Sequence, residues 1–114
     1  IQQARPYYDH FMIAAIEDEV LEKTMMAQVS QALLLIKGCM ASFTIAKVRT
    51  NPSAVAVSAR SDGSYNVQKI MEKLNGGGHF SAAAVEREDV SVQQMKDMIL
   101  KCIEEEQKNE SNIA

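Results

Sequence analysis

Three consecutive glycines, Gly76-Gly77-Gly78, set between Asn75 and His79 and followed by Phe80-Ser81-Ala82-Ala83-Ala84, constrain this chain more than any other stretch. Glycine has no Cβ, so it reaches positive φ and lets another group approach the main chain closely. A helix running into such a segment ends there, and the bare amides that follow can form a concave site for an anion. A short helix starting at His79 would add its N-terminal amides to the same pull. A plain turn between two elements would satisfy the glycines equally well, so the flanking residues have to decide.

The segments around the glycines alternate between strand and helix patterns. Phe11-Met12-Ile13-Ala14-Ala15-Ile16 is a continuous apolar run too short for a helix and reads as a buried strand. Asp18 is placed to cap a helix with an apolar stripe of Leu21, Met25, Val29, Ala32 and Ile36, and Gly38 stands where a left-handed stop is expected. Phe43 and Ile45, then Val55 and Val57, alternate with smaller or polar residues, giving two strands joined at Asn51-Pro52-Ser53. Asn66 can cap a second helix carrying Val67, Ile70, Met71 and Leu74, which the glycines end. Ala84-Val85-Glu86 reads as a short strand. Ser91 with Gln94 makes a capping box, and Val90 with Met95 a hydrophobic staple, for a last helix with the stripe Val92, Met95, Ile99 and Cys102. The reading is a single α/β domain, a mixed β-sheet covered by helices in the order β-α-β-β-α-β-α. Residues 1–10 are expected to be a linker and 11–107 the domain. The polar sequence from Glu104 is expected to fray, with 108–114 a disordered tail.

Composition bounds the function. With 114 residues, 46% of them hydrophobic, the chain can build one core but not two. A net charge of −3 argues against a surface for duplex DNA, which needs basic groups to displace counterions. Cys39 and Cys102 show no metal or redox spacing and read as core thiols. The longest apolar run, at Leu33-Leu34-Leu35-Ile36, falls far short of a membrane span, and no signal peptide is evident. A chain beginning at Ile1 is expected to be a piece of a larger protein.

Gly76-Gly77-Gly78-His79 followed by small residues resembles the signature of the DHH-associated domain, the C-terminal half of the DHH phosphoesterases. Val57-Ser58-Ala59-Arg60-Ser61, then Asn66-Val67-Gln68 and Ile70-Met71-Glu72-Lys73-Leu74, are similar to the stretch that precedes this loop in the family. Ala14-Ala15-Ile16-Glu17-Asp18 and Ala41-Ser42-Phe43-Thr44-Ile45 bring the resemblance closest to the membrane-anchored bacterial cyclic-di-AMP phosphodiesterases, over roughly residues 11–103. Asn75 stands where the family usually has a fourth glycine, a change Asn accommodates because it tolerates the left-handed region. Ala84 stands where many members have glycine.

Period-2 alternation places Ser58 and Arg60 on one strand face, opposite Val55 and Val57. An arginine there suits either a surface salt bridge or phosphate oxygens, and the family's serine-x-arginine block favours the phosphate. His79 has three readings: a structural ring, a metal ligand, or a donor to a phosphoryl oxygen, the last being preferred. A metal needs several converging ligands, and the other histidine, His10, lies in the expected linker, where Tyr8-Asp9-His10 resembles a DHH triplet only by chance, lacking the second histidine and a preceding strand. The resemblance implies substrate contacts from Ser58, Arg60, Asn66, Gly76, Gly77, Gly78 and His79, with no catalytic residue and no metal ligand in this piece. It implies Mn²⁺ held by a DHH domain of the same parent chain, and cyclic-di-AMP or pApA as ligand. It also implies a cytoplasmic domain, without membrane contact of its own, on a membrane-anchored parent. A second enzyme reading keeps the fold and changes the substrate to short oligoribonucleotides, and a third, of another class, is a non-catalytic RNA-binding module like that of alanyl-tRNA synthetases, against which the acidic balance counts.

Overall fold

The stretch expected to be a linker contributes a strand. Ala4–Tyr7 forms β1, paired antiparallel with β2, Phe11–Leu21, from Ala4↔Ala14 to Tyr7↔Phe11. The computed structural model describes residues 3–113, and side chains through 109, so Ile1, Gln2 and Ala114 lie outside the described residues. Tyr8 and Asp9 turn the hairpin with φ of 50° and 67°, and the His10 ring meets the Gly38 carbonyl at 3.1 Å. The Tyr8-Asp9-His10 triplet is therefore a hairpin loop.

β2 continues past Asp18, because Val20 and Leu21 still pair with Lys47 and Val48 after a bulge. Helix α1, Lys23–Leu33, consequently starts after Glu22, with no side-chain cap, and stops before Gly38, which takes φ +86° in the following turn. The expected Asp18 cap is thus corrected, and so is the buried stripe. Met26, Ser30 and Leu33 face the sheet, while Met25 and Ile36 are about half exposed. The apolar pattern misleads because a serine occupies the centre of the buried face. Ser30 Oγ donates to the Ser58 carbonyl at 2.6 Å and lies 2.6 Å from Thr44 Oγ1, and Ser42 Oγ donates to the Ser30 carbonyl. A buried hydroxyl is tolerated only with such partners.

β3, Ala41–Val48, runs parallel to β2, and β4, Asn51–Ser61, antiparallel to β3. The turn falls at Arg49-Thr50, so Asn51-Pro52-Ser53 opens β4 rather than joining the strands. α2 spans Val67–Lys73, β5 Gly77–His79, β6 Ala82–Arg87 and α3 Val92–Ile113. The six strands form one mixed sheet in the order β1-β2-β3-β4-β6-β5. The α/β class and the mixed sheet hold, and β1 and β5 are added to the expected order.

The sheet has two covered faces. Phe43, Ile45, Val55, Val57 and Val85 form the larger core with Ile70 and Met71 of α2 and Met95, Ile99 and Ile103 of α3. Ile16, Ala46, Val48, Ala54 and Ala56 pack with Met26 under α1 on the other. The capping box of α3 is formed, with Gln94 N donating to Ser91 Oγ at 3.1 Å and Ser91 N to Gln94 Oε1 at 2.8 Å. Cys39 and Cys102 are both buried, and burial pushes both thiols upward.

Helix α3 does not fray at Glu104. Ile103 and Glu106 are buried, and Glu106 pairs with Lys73 at 2.7 Å and Lys69 at 3.0 Å, both on α2. The backbone stays helical through Ile113, across most of the segment expected to be a disordered tail. The Lys73 hydrogen bond, reinforced by Lys69 against the cost of burial, holds the Glu106 carboxyl below its ordinary range. A depressed carboxylate contributes stability above the unfolded value, and that contribution is lost as pH falls through the folded one. Urea midpoints should therefore drop between pH 7 and the region below about pH 4.3, and Glu106→Gln should flatten that acid limb. An identical limb in the variant would assign the acid sensitivity elsewhere.

Candidate functional site

The glycine run is held at both ends. Asn66 Oδ1 caps α2 by accepting from Lys69 N at 3.2 Å. At the other end Asn75 takes φ 73°, Asn75 N donates to Glu72 O and Gly76 N to Met71 O at 2.8 Å, the paired bonds of a Schellman stop. Arg87 closes the same end by donating to the Leu74 carbonyl at 3.3 Å while forking onto Asp89. The chain then enters β5 as a strand, and no helix begins at His79. The helix-terminus support for an anion is thereby removed, and the backbone of an edge strand takes its place.

Strand register brings the named residues into rows on the α1 face of the sheet. Arg60 of β4 pairs with Ala82 of β6, which pairs with His79 of β5. The next row is Ser58, Ala84 and Gly77, and beyond it Ala56 pairs with Glu86. Neighbouring strands are about 4.8 Å apart, so Arg60 and His79 flank Ala82 across about 10 Å with nothing larger than a methyl between them. Helix α1 walls this trough with Met26 and Ala27, and Lys23 Nζ reaches Glu86 Oε1 at 2.7 Å. The trough encloses about 400 Å³ between Lys23, Ser58, Arg60, Gly76, Ala84 and Glu86. His79 stands exposed in the Arg60 row, outside that lining.

Arg60 makes no salt bridge among the described residues. Its Nη1 donates to the Ala59 carbonyl at 2.8 Å, which leaves the rest of the guanidinium fork free of carboxylates. Gly77 is not in the left-handed region, and a Cβ there would meet nothing within 4 Å, so it is the one glycine of the run whose side-chain position is open and whose backbone is unstrained. Gly76 and Gly78 are the constrained pair. A Cβ on Gly76 would overlap the Ala84 carbonyl oxygen and lie 2.5 Å from Val85 Cβ, and one on Gly78, at φ +146°, would lie 2.5 Å from Ala83 Cα.

Asn66 is not gathered with the others. It lies at the α2 cap beside a separate hollow lined by Ser64, Tyr65, Lys69, Phe80 and Glu106. Tyr65 packs edge-on against Phe11 at 4.9 Å, and Phe80 is exposed on that hollow, so neither aromatic lines the trough. Lys23, Met26 and Glu86 were not singled out from the sequence. Lysine and glutamate at helix and strand positions are common surface residues, and only the docking of α1 on β3 and β4, with β6 alongside β4, brings these two together. Among the described residues no cluster of three or more His, Cys, Asp or Glu side chains could hold a metal ion, so these residues do not fit Mn²⁺. No helix of the described residues is long and apolar enough to cross a membrane.

The sequence matches the DHHA1 domain family over residues 9–109. It is 41% identical over 87 residues to the cyclic-di-AMP phosphodiesterase GdpP of Geobacillus thermodenitrificans, covering 76% of this chain and 13% of that protein. It is 37% identical over 112 residues to the cyclic-di-AMP phosphodiesterase PdeA of Listeria monocytogenes, covering 97% of this chain and 17% of the relative. The chain thus spans less than a fifth of the length of these relatives. Among solved structures, the pGpG-specific phosphodiesterase PggH of Vibrio cholerae shares the fold, with a TM-score of 0.58 at 14% identity over 89% of this chain and 35% of that one. With its glycine strand, its paired covered faces and these matches over nearly its whole length, the chain belongs to the DHHA1 domain family.

Proposed function

We propose that this chain is the substrate-recognition domain of a cyclic-di-AMP phosphodiesterase, a larger protein that opens the cyclic dinucleotide to pApA. The observation that carries the reading is the single row of Arg60, Ala82 and His79 across β4, β6 and β5. A guanidinium without a carboxylate partner and an imidazole face the same side over a methyl floor, which suits a phosphoryl group lying between them. The main chain at Gly77 lets the ligand settle against backbone. In this reading the manganese ions and the attacking water belong to a DHH domain elsewhere in the same protein, on a membrane-anchored parent whose DHHA1 domain faces the cytoplasm. The present residues contribute orientation and charge stabilisation.

Calorimetric titration with pApA tests the reading. Arg60→Ala and His79→Ala are each expected to weaken binding by about 1–3 kcal/mol, about 5- to 150-fold in Kd. Circular dichroism should be unchanged, because Arg60 stands at the surface of the trough and His79 is exposed beside it. Unaltered affinity in both variants would move the phosphate elsewhere.

A further inference from the structure

We infer that the far end of the trough is a purine subsite in which the Lys23–Glu86 pair reads the edge of a nucleobase. This inference rests on the phosphate grip proposed for Arg60 and His79. The first observation is length. Glu86 lies two rows from Arg60 along the α1 face, with the Ser58–Ala84–Gly77 row between them. Two steps of two residues each come to about 13 Å, the reach of an extended nucleotide from its phosphate to the far edge of a purine.

The second observation is the floor. Ser58 and Ala84 line the path between the two ends, and their row neighbours Ala82 and Gly77 add no more than a methyl beside it, with open space over Gly77. The third is the character of the far end. Met26 and Ala27 supply an apolar wall, while Lys23 and Glu86 place a donor and an acceptor side by side at 2.7 Å. Adenine presents the complementary arrangement, an exocyclic amine beside a ring nitrogen that accepts. The amine would donate to Glu86 and the ring nitrogen would accept from Lys23.

The pair is readily re-formed around a ligand. The Lys23 and Glu86 side chains are 60% and 34% exposed, and exposed ion pairs hold together only weakly. A volume of about 400 Å³ lies at the small end of ligand sites, and with a span of one nucleotide the trough takes one half of a dinucleotide. The other half projects past His79 and out of this domain.

The test compares AMP with ribose 5-phosphate, the same phosphate and sugar without the base, by calorimetry on the 114-residue chain. The wild type should bind AMP at least about tenfold more tightly, since hydrogen bonds to charged groups are the strong ones. Lys23→Met and Glu86→Ala should each bring AMP towards ribose 5-phosphate while ribose 5-phosphate keeps its wild-type affinity. Arg60→Ala should weaken both ligands. If Arg60→Ala weakens both but Lys23→Met and Glu86→Ala leave the AMP preference intact, the pair only ties α1 to β6 and the purine subsite is overturned while the phosphate grip stands. If Arg60→Ala weakens neither ligand, the phosphate grip itself fails, and the base subsite measured from it fails too.

Discussion

Replacing Gly76 with alanine is expected to destabilise the fold by about 1–3 kcal/mol or more, as overpacking of well-packed sites does, and to lower the melting temperature by about 10 °C. The added methyl would run into the Ala84 carbonyl oxygen and Val85, which are main chain and core and have no room to yield. Gly78→Ala should behave similarly, because its methyl meets Ala83 and its φ of +146° disfavours any side chain. Gly77→Val should behave differently. Its backbone lies outside the left-handed region, its Cβ would enter open space, and a β-branched residue suits a strand, so stability should stay within about 0.5 kcal/mol of the wild type. Its side chain would instead stand in the trough beside Ala84 and block the ligand. Thermal melts of the three variants, followed by titration of Gly77→Val with pApA, separate the two roles. A Gly76→Ala protein that melts with the wild type, or a Gly77→Val protein that binds normally, would contradict this division.

The 114-residue chain alone is expected to hydrolyse neither cyclic-di-AMP nor pApA, even with excess Mn²⁺. Two-metal phosphodiester hydrolysis needs ions held about 3.5–4 Å apart by several converging ligands, and His79 has only alanines and glycines as strand neighbours. Joining a DHH domain to the same chain should create turnover, and His79→Ala should then reduce it. Chromatography of nucleotide products from highly purified chain is the assay, with Gly77→Val as the control for contaminating nucleases. Metal-dependent turnover by the chain alone that vanishes in Gly77→Val would place the chemistry in this domain after all.

Where one short segment holds both pattern and chemistry, the sequence was legible. Ser58 and Arg60 share a face because alternation demands it, and α3 is capped by the Ser91–Gln94 box its spacing announces. The glycine run stands out in the sequence but does not read as a strand, since glycine is among the poorest strand formers and only pairing with β6 holds β5 in place. β1 was hidden for a related reason: Arg5-Pro6 has no apolar alternation, and an edge strand tolerates proline. The face of α1 was misjudged because Ser30 interrupts its apolar stripe, and its partners Thr44 and Ser58 come from two other strands. Glu106 was assigned to solvent by its acidic neighbours, although two lysines on α2 make its burial tolerable. Lys23 and Glu86 come together only once α1 has docked.

The floor of the trough has almost no rotamers to lose. Gly76 and Ala84 in its lining, like Gly77 and Ala82 beside it, are already single-conformation surfaces, so a ligand resting on them would immobilise no side chain there. The entropic cost of binding falls on the long charged groups at the rim, at about 0.5–1.5 kcal/mol for each one ordered. On the binding mode proposed above, affinity would be set by how firmly Arg60, Lys23 and Glu86 are held before the ligand arrives. A neighbouring domain that packed against that rim would raise affinity by preorganising these groups, without itself touching the nucleotide.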